Sequence, residues 1–163
     1  MGLLDTYSAE RHPVAARVLE WTRAQVALLR PNSRALQEIV RDLIATRDGA
    51  TYFAERMWGI SLRYGDSDAH PFIGRSCPDF ELEDGTRLGA LLRDGTGLLL
   101  DFGRSLQSLH GRWGSRVRYV ASDAKDRMGL CALLVRPDGF VAWASDTLPV
   151  HEEVTRAAAT WFG

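Results

Sequence analysis

The chain has 163 residues, 45% of them hydrophobic, which is enough for one domain with a real core and a small appendage. A net charge of −1 and an isoelectric point near 6.4 leave no basic footprint for nucleic acid or an anionic membrane. Lys125 is the only lysine, and the arginines are scattered among acids, a compositional bias rather than a phosphate-recognition pattern.

No run of about 18 apolar residues exists to cross a membrane. Asp5 and Glu10 stand where a signal peptide needs a basic and then an apolar segment. Two cysteines, Cys77 and Cys131, make no disulfide framework in a chain of this size. The expectation is a cytoplasmic protein without nucleic-acid or membrane partners.

Along the chain, Leu4, Tyr7, Val14, Val18, Trp21, Gln25 and Leu28 recur at three- and four-residue spacing, so residues 3–29 read as a helix. Pro13 is expected to kink that helix or start it afresh. Pro31-Asn32-Ser33 ends it and offers a cap to the next. Leu36, Ile39, Val40, Leu43 and Ile44 then form an amphipathic stripe up to Asp48-Gly49, and a third, short helix holds Tyr52, Phe53 and Met57. Residues 60–64 read as extended, and residues 65–71 as a linker.

Beyond the linker, residues 80–82 and 87–88 predict a small hairpin around Asp84-Gly85. A helical turn or two follows, then a buried strand over 98–102, a helix over 105–113 and a strand over 117–121. The stretch from Leu133 to Asp146 is the clearest element. Arg136-Pro137-Asp138-Gly139 has the chemistry of a tight turn: Pro137 presets φ, Asp138 bonds back to the backbone, and Gly139 accepts positive φ. Both faces of this hairpin are apolar, which calls for cover on both sides. Residues 149–162 form a last helix, with Glu152 and Glu153 suited to its N-terminal dipole.

The order predicts an α/β fold, a thioredoxin-like mixed sheet flanked by helices and preceded by an N-terminal helical segment. The helical segment is expected at 1–64 and the thioredoxin-like domain at 65–163.

Three stretches carry a resemblance. Leu4-Asp5-Thr6-Tyr7-Ser8-Ala9-Glu10-Arg11-His12-Pro13-Val14-Ala15, Gly74-Arg75-Ser76-Cys77-Pro78-Asp79 with Asp84-Gly85, and Leu134-Val135-Arg136-Pro137-Asp138-Gly139 through Ala142-Trp143 occur in one order. Together they resemble the LLDTYxxERxPVA helix, the GRxxPD segment and the LVRPDGxVAW hairpin of FAD-dependent aromatic-ring and polyketide hydroxylases, in the C-terminal region of that family. The resemblance implies structural roles for Tyr7, Glu10, Arg11, Pro13, Gly74, Arg75, Pro78, Asp79, Arg136, Pro137, Asp138, Gly139 and Trp143. It also implies that FAD belongs to a part absent here, the GxGxxG segment. Gly65-Asp66-Ser67-Asp68-Ala69-His70 looks like the family's GDxAH flavin signature, but it follows the ERxPVA helix instead of preceding it.

Chemistry finds little support in the residues. An active thioredoxin needs a cysteine after its first core strand, and Gly103-Arg104-Ser105-Leu106-Gln107-Ser108 has none. Cys77 lies in the wrong element, and Cys131 reads as a small core hydrophobe. Asp66, Asp68 and His70 alternate as metal ligands do, but a solvated acidic linker is the preferred reading. His12, His110 and His151 are isolated, and Ser105 and Ser108 lack a nucleophile elbow. Asp101 is either a buried acid or a satisfied polar residue at a strand edge.

The leading expectation is therefore a non-catalytic, stand-alone homologue of that C-terminal region, with no catalytic, cofactor or metal residue of its own. It would bind a flavin hydroxylase partner or form a homodimer, and Trp21, Tyr52, Phe53 and Trp58 are the residues expected to mark the patch. Two alternatives remain: one piece of a split or fragmentary FAD monooxygenase, and a binding protein for an aromatic small molecule.

Overall fold

The computed structural model describes residues 3–65 and 70–163, with side chains from Tyr7 onward. It divides into two compact units, Met1–Tyr64 and Gly65–Gly163.

The first unit is three helices: α1 (Leu3–Leu28), α2 (Arg34–Ile44) and α3 (Arg47–Met57). Helix α1 runs through Pro13 without a break. Pro13 is the eleventh residue of α1, where it removes one N–H donor and its bond while the helical turns on both sides continue. Helix α3 begins earlier than its apolar residues suggest. Thr46 caps it by accepting a hydrogen bond from the Gly49 N–H at 3.1 Å. Gly49, expected to end the second helix, instead permits a close approach: a Cβ there would lie 1.8 Å from the Leu43 carbonyl oxygen. Residues 58–61 form a turn, so only the last part of the stretch expected to be extended is non-helical coil.

The second unit is built on a four-stranded sheet of β1 (Gly97–Asp101), β2 (Val117–Val120), β3 (Ala132–Val135) and β4 (Val141–Ser145), in the order β2-β1-β3-β4. Strands β1 and β2 are parallel, β1 and β3 antiparallel, and β3 and β4 form the expected hairpin. This is the thioredoxin-like mixed sheet. A single-turn helix, α4 (Leu88–Leu91), precedes β1, and α5 (His151–Phe162) ends the chain.

Period-two alternation sorts the residues of β1 and β3 onto two faces, while a register shift beside Val135 turns Val141 and Trp143 of β4 to opposite ones. Leu98, Leu100, Leu133, Val135 and Val141 face a cluster with Phe80, Leu82, Leu88 and Phe102. Leu99, Ala132, Leu134 and Trp143 face the other way, against Leu106, Val154, Ala158 and Phe162. The doubly apolar hairpin is thus covered on both sides. Gly97 lets α5 close on the sheet, because a Cβ there would fall 2.4 Å from the Phe162 ring.

One predicted helix is absent. Residues 105–113 form loops with a 3-10 turn at Gln107–Leu109, and a second such turn follows at Gly114–Arg116. Gly111 and Gly114 take φ of +74° and +58°, and Arg104 takes +56°, all incompatible with a continuous right-handed helix.

Candidate functional site

The second and third sequence motifs meet at the edge of β4. The Gly74 N–H donates to the Val141 carbonyl at 2.8 Å, the Val141 N–H to the Arg75 carbonyl at 2.9 Å, and the Cys77 N–H to the Gly139 carbonyl at 2.8 Å. The Gly74–Asp79 stretch therefore covers part of an otherwise open sheet edge. Gly74 sits at φ +78°, where a side chain would be strained. Asp79 then accepts the Gly89 N–H at 2.7 Å and fixes the start of α4, while the Pro78 carbonyl accepts from Phe80.

The hairpin turn closes as its residues dictate. The Gly139 N–H donates to the Arg136 carbonyl at 2.9 Å, with Gly139 at φ +82°. Arg136 is 8% exposed and grips Asp138 through Nε at 3.1 Å and Nη2 at 2.7 Å. Its guanidinium lies 3.8 Å from the Trp161 ring centroid, tying the turn to α5. Trp143 packs in the core beneath. A buried arginine so engaged has no free fork for an anionic substrate.

In the first unit, Arg11 donates to the Tyr64 hydroxyl at 2.7 Å and lies 4.6 Å over its ring. Tyr7 is exposed and 5.8 Å from the same guanidinium; Glu10 is half-buried. Pro13 precedes Val14, which with Tyr64 is a buried apolar residue of this unit.

Asp101 is buried at the C-terminal end of β1, a central strand rather than an edge. Its Oδ2 accepts the Leu106 N–H at 2.6 Å and the Tyr119 hydroxyl at 2.9 Å, and Oδ1 accepts from Ser105 at 3.4 Å. The carboxylate thus holds the loop after β1 and pins β2. Burial, and then the bond to Asp101, push the Tyr119 phenol up to about 12. The position where a thioredoxin carries its thiolate is here a structural knot.

Cys77 is a poor nucleophile: burial first, and then the nearby Asp79, push its thiol well above the ordinary range. Cys131 donates to the Asp146 carbonyl at 3.4 Å. Of the proposed metal trio, Asp66 and Asp68 lie outside the described residues, as does most of the GDxAH-like stretch. His70 stacks on Phe72, and no cluster of three His, Cys, Asp or Glu residues arises among the described residues. The residues also do not fit an FAD pyrophosphate. Gly95-Thr96-Gly97 leads into a strand rather than a helix, and the space beside Gly97 is filled by Phe162.

Three of the four aromatic residues expected to mark a patch meet. Trp21, Tyr52 and Phe53 have ring centroids 5.4–6.1 Å apart, and Arg56 lies 3.4 Å over Tyr52. Tyr52 is 48% and Trp58 76% exposed. The buried Trp21 Nε1 has no hydrogen-bond partner. Helices α2 and α3 contain no buried residue at all. Leu36, Ile39 and Leu43, the stripe visible in the sequence, are each about half exposed, at 48%, 58% and 52%.

One pair escaped sequence reasoning altogether. Ser108 and His151, 43 residues apart, meet with Oγ and Nε2 at 2.8 Å. Only the pairing of the loop after β1 with the start of α5 brings them together, and no local spacing signals it.

The family model for the aromatic-ring hydroxylase C-terminal region matches residues 70–163. Among curated proteins, the chain is 38% identical to the rifampicin monooxygenase of Streptomyces venezuelae, covering 99% of this chain and 33% of that protein. It is 32% identical to the dialkyldecalin synthase of Streptomyces rugosporus, covering 99% of this chain and 32% of that one. Among solved structures, OxyS anhydrotetracycline hydroxylase from Streptomyces rimosus superposes with a TM-score of 0.85 at 37% identity, over 99% of this chain and 36% of that one. The chain spans about a third of the length of the curated relatives it matches. No described helix is long and apolar enough to cross a membrane.

Proposed function

Because the chain belongs to the aromatic-ring hydroxylase C-terminal family, we propose that it supplies packing surface rather than reacting groups, with its helical unit as the docking face for a flavin-bearing monooxygenase body. One observation carries this reading. Among the described residues, thirteen of the sixteen exposed large hydrophobic side chains lie in the first unit, from Tyr7 to Ile60. An apolar surface of this kind marks an interaction site, and water is a poor permanent neighbour for it. The partnerless Trp21 indole N–H adds a polar group that an arriving carbonyl would satisfy.

Relatives named for a monooxygenation and for a decalin-forming reaction share this region. That supports a shape-giving role, since reaction identity then resides elsewhere in those proteins. A second copy of the chain is an alternative cover for the same surface, giving a homodimer. Cytoplasmic residence fits the same reading.

The test uses the 163-residue chain itself. It is expected to show no flavin absorbance and to take up no FAD in calorimetric titration. In light scattering it is expected to self-associate, and Leu36→Glu with Leu43→Glu is expected to return it to a monomer. Saturable FAD uptake would overturn the non-catalytic reading. A monomeric wild type indistinguishable from the double variant would overturn the docking reading.

A further inference from the structure

We propose that the second unit carries a recognition site for a phosphorylated small molecule in the cavity between the loop after β1 and the first turns of α5. The cavity measures about 580 Å³ and is lined by Ser108, Arg112, His151, Glu152 and Arg156, among others. It is an open concavity, and Ser108, Arg112, His151, Glu152 and Arg156 are all exposed in it. The cavity lies wholly within the sheet unit, so the inference is independent of the docking face.

Two observations set its chemistry. Among the described residues, Arg112 and Arg156 line the cavity without a carboxylate partner, whereas Arg87, Arg118, Arg127 and Arg136 of the same unit each hold one. Two unengaged guanidiniums on one concavity are suited to bidentate capture of an oxyanion. In the same lining, the Ser108 hydroxyl and the His151 imidazole are held together at 2.8 Å. Glu152 is the one carboxylate in the lining, leaving the two arginines in excess. The net charge of the lining is about +1, so oxygen count rather than charge selects the ligand: a phosphate offers three terminal oxygens to two guanidinium forks and the Ser108 hydroxyl, one more than a carboxylate. The twelve-residue α5 begins at His151, and its N-cap, Val150, offers no side-chain cap to the first-turn N–H groups.

The Ser–His pair reads as recognition rather than acyl transfer. Among the described residues no carboxylate bonds the other ring nitrogen of His151, and a dyad without an orienting third group lacks the arrangement that makes serine a strong nucleophile.

The test is a nuclear magnetic resonance titration of the 163-residue chain with phenyl phosphate and with inorganic phosphate, against acetate at matched ionic strength. The expected result is saturable amide shifts confined to residues 108–112 and 151–156 with both phosphates. Arg112→Gln with Arg156→Gln is expected to weaken phenyl phosphate binding tenfold or more. Ser108→Ala, a milder surface change, is expected to weaken it severalfold and gives a second readout should the double variant misfold. Equal shifts with acetate, no saturable shift with either phosphate, or wild-type affinity in the folded variants would overturn the proposal.

Discussion

The two units of this chain spend their apolar residues in opposite ways. In the sheet unit twenty-one hydrophobic residues are buried, and only Met128, Leu148 and Val150 stand out as large and exposed. In the helical unit only Val14 and Tyr64 are buried among the described residues, while thirteen large apolar side chains face water. Burial of apolar area is the main favourable term in folding. The sheet unit therefore carries its own reason to fold, and the helical unit leaves most of its large apolar side chains facing water.

The comparison is broken most completely by separating the units. Residues 65–163 produced alone are expected to unfold in one cooperative transition, and residues 1–64 alone to show none, by circular dichroism on heating. A cooperative melt of the helical piece would contradict the contrast. Truncations probe it one residue at a time. Leu134→Ala, in the sheet core, is expected to cost about 2–5 kcal/mol, while Ile39→Ala on α2 stays within about 0.5 kcal/mol, both read from urea midpoints.

Asp101→Ala comes next in size. It strips the partner from the Leu106 N–H and the Tyr119 hydroxyl, and is expected to cost about 2–4 kcal/mol, an unsatisfied buried donor costing about 1–3 kcal/mol. Asp101→Asn keeps an acceptor and should cost less in the same unfolding assay.

The smallest effect is a titration. The Tyr119 phenol, held up to about 12 by burial and the Asp101 bond, is neutral in the fold beyond the ordinary tyrosine range. Its contribution to stability is complete below about pH 10, the ordinary value, and is lost as pH rises through about 12. Ultraviolet absorbance should show one tyrosine ionising later than the rest, and Asp101→Asn should bring it earlier. Simultaneous ionisation of all four would remove Asp101 from the account.

What was legible in the sequence was whatever depended on near neighbours. The β3–β4 hairpin, the apolar run of β1 and the face of α5 each follow from spacing and turn chemistry that act within a few residues. Gly49 shows where local reading fails. Glycine ends helices and also admits close backbone approach, and only the contact with Leu43 reveals which role applies. The helix expected over 105–113 is interrupted at Gly111, whose positive φ a right-handed helix cannot hold, and positive φ at Arg104 excludes a helical start just before it.

The candidate sites were less legible still. Asp101 stood out as an acid inside an apolar strand, but its partner Tyr119 lies on the next parallel strand. The partnership of Ser108 with His151 spans 43 residues and leaves no local trace. The three family motifs could be read individually. That the second and third share one sheet edge could not, because backbone pairing between distant segments leaves no periodicity in either.

Native-state hydrogen exchange tests the central contrast most directly. Amides of β1 and β3 are expected to exchange only through global unfolding, and those of α2 and α3 through opening at least a hundredfold more frequent. Equal protection of the helices and the strands in the isolated chain would contradict the account.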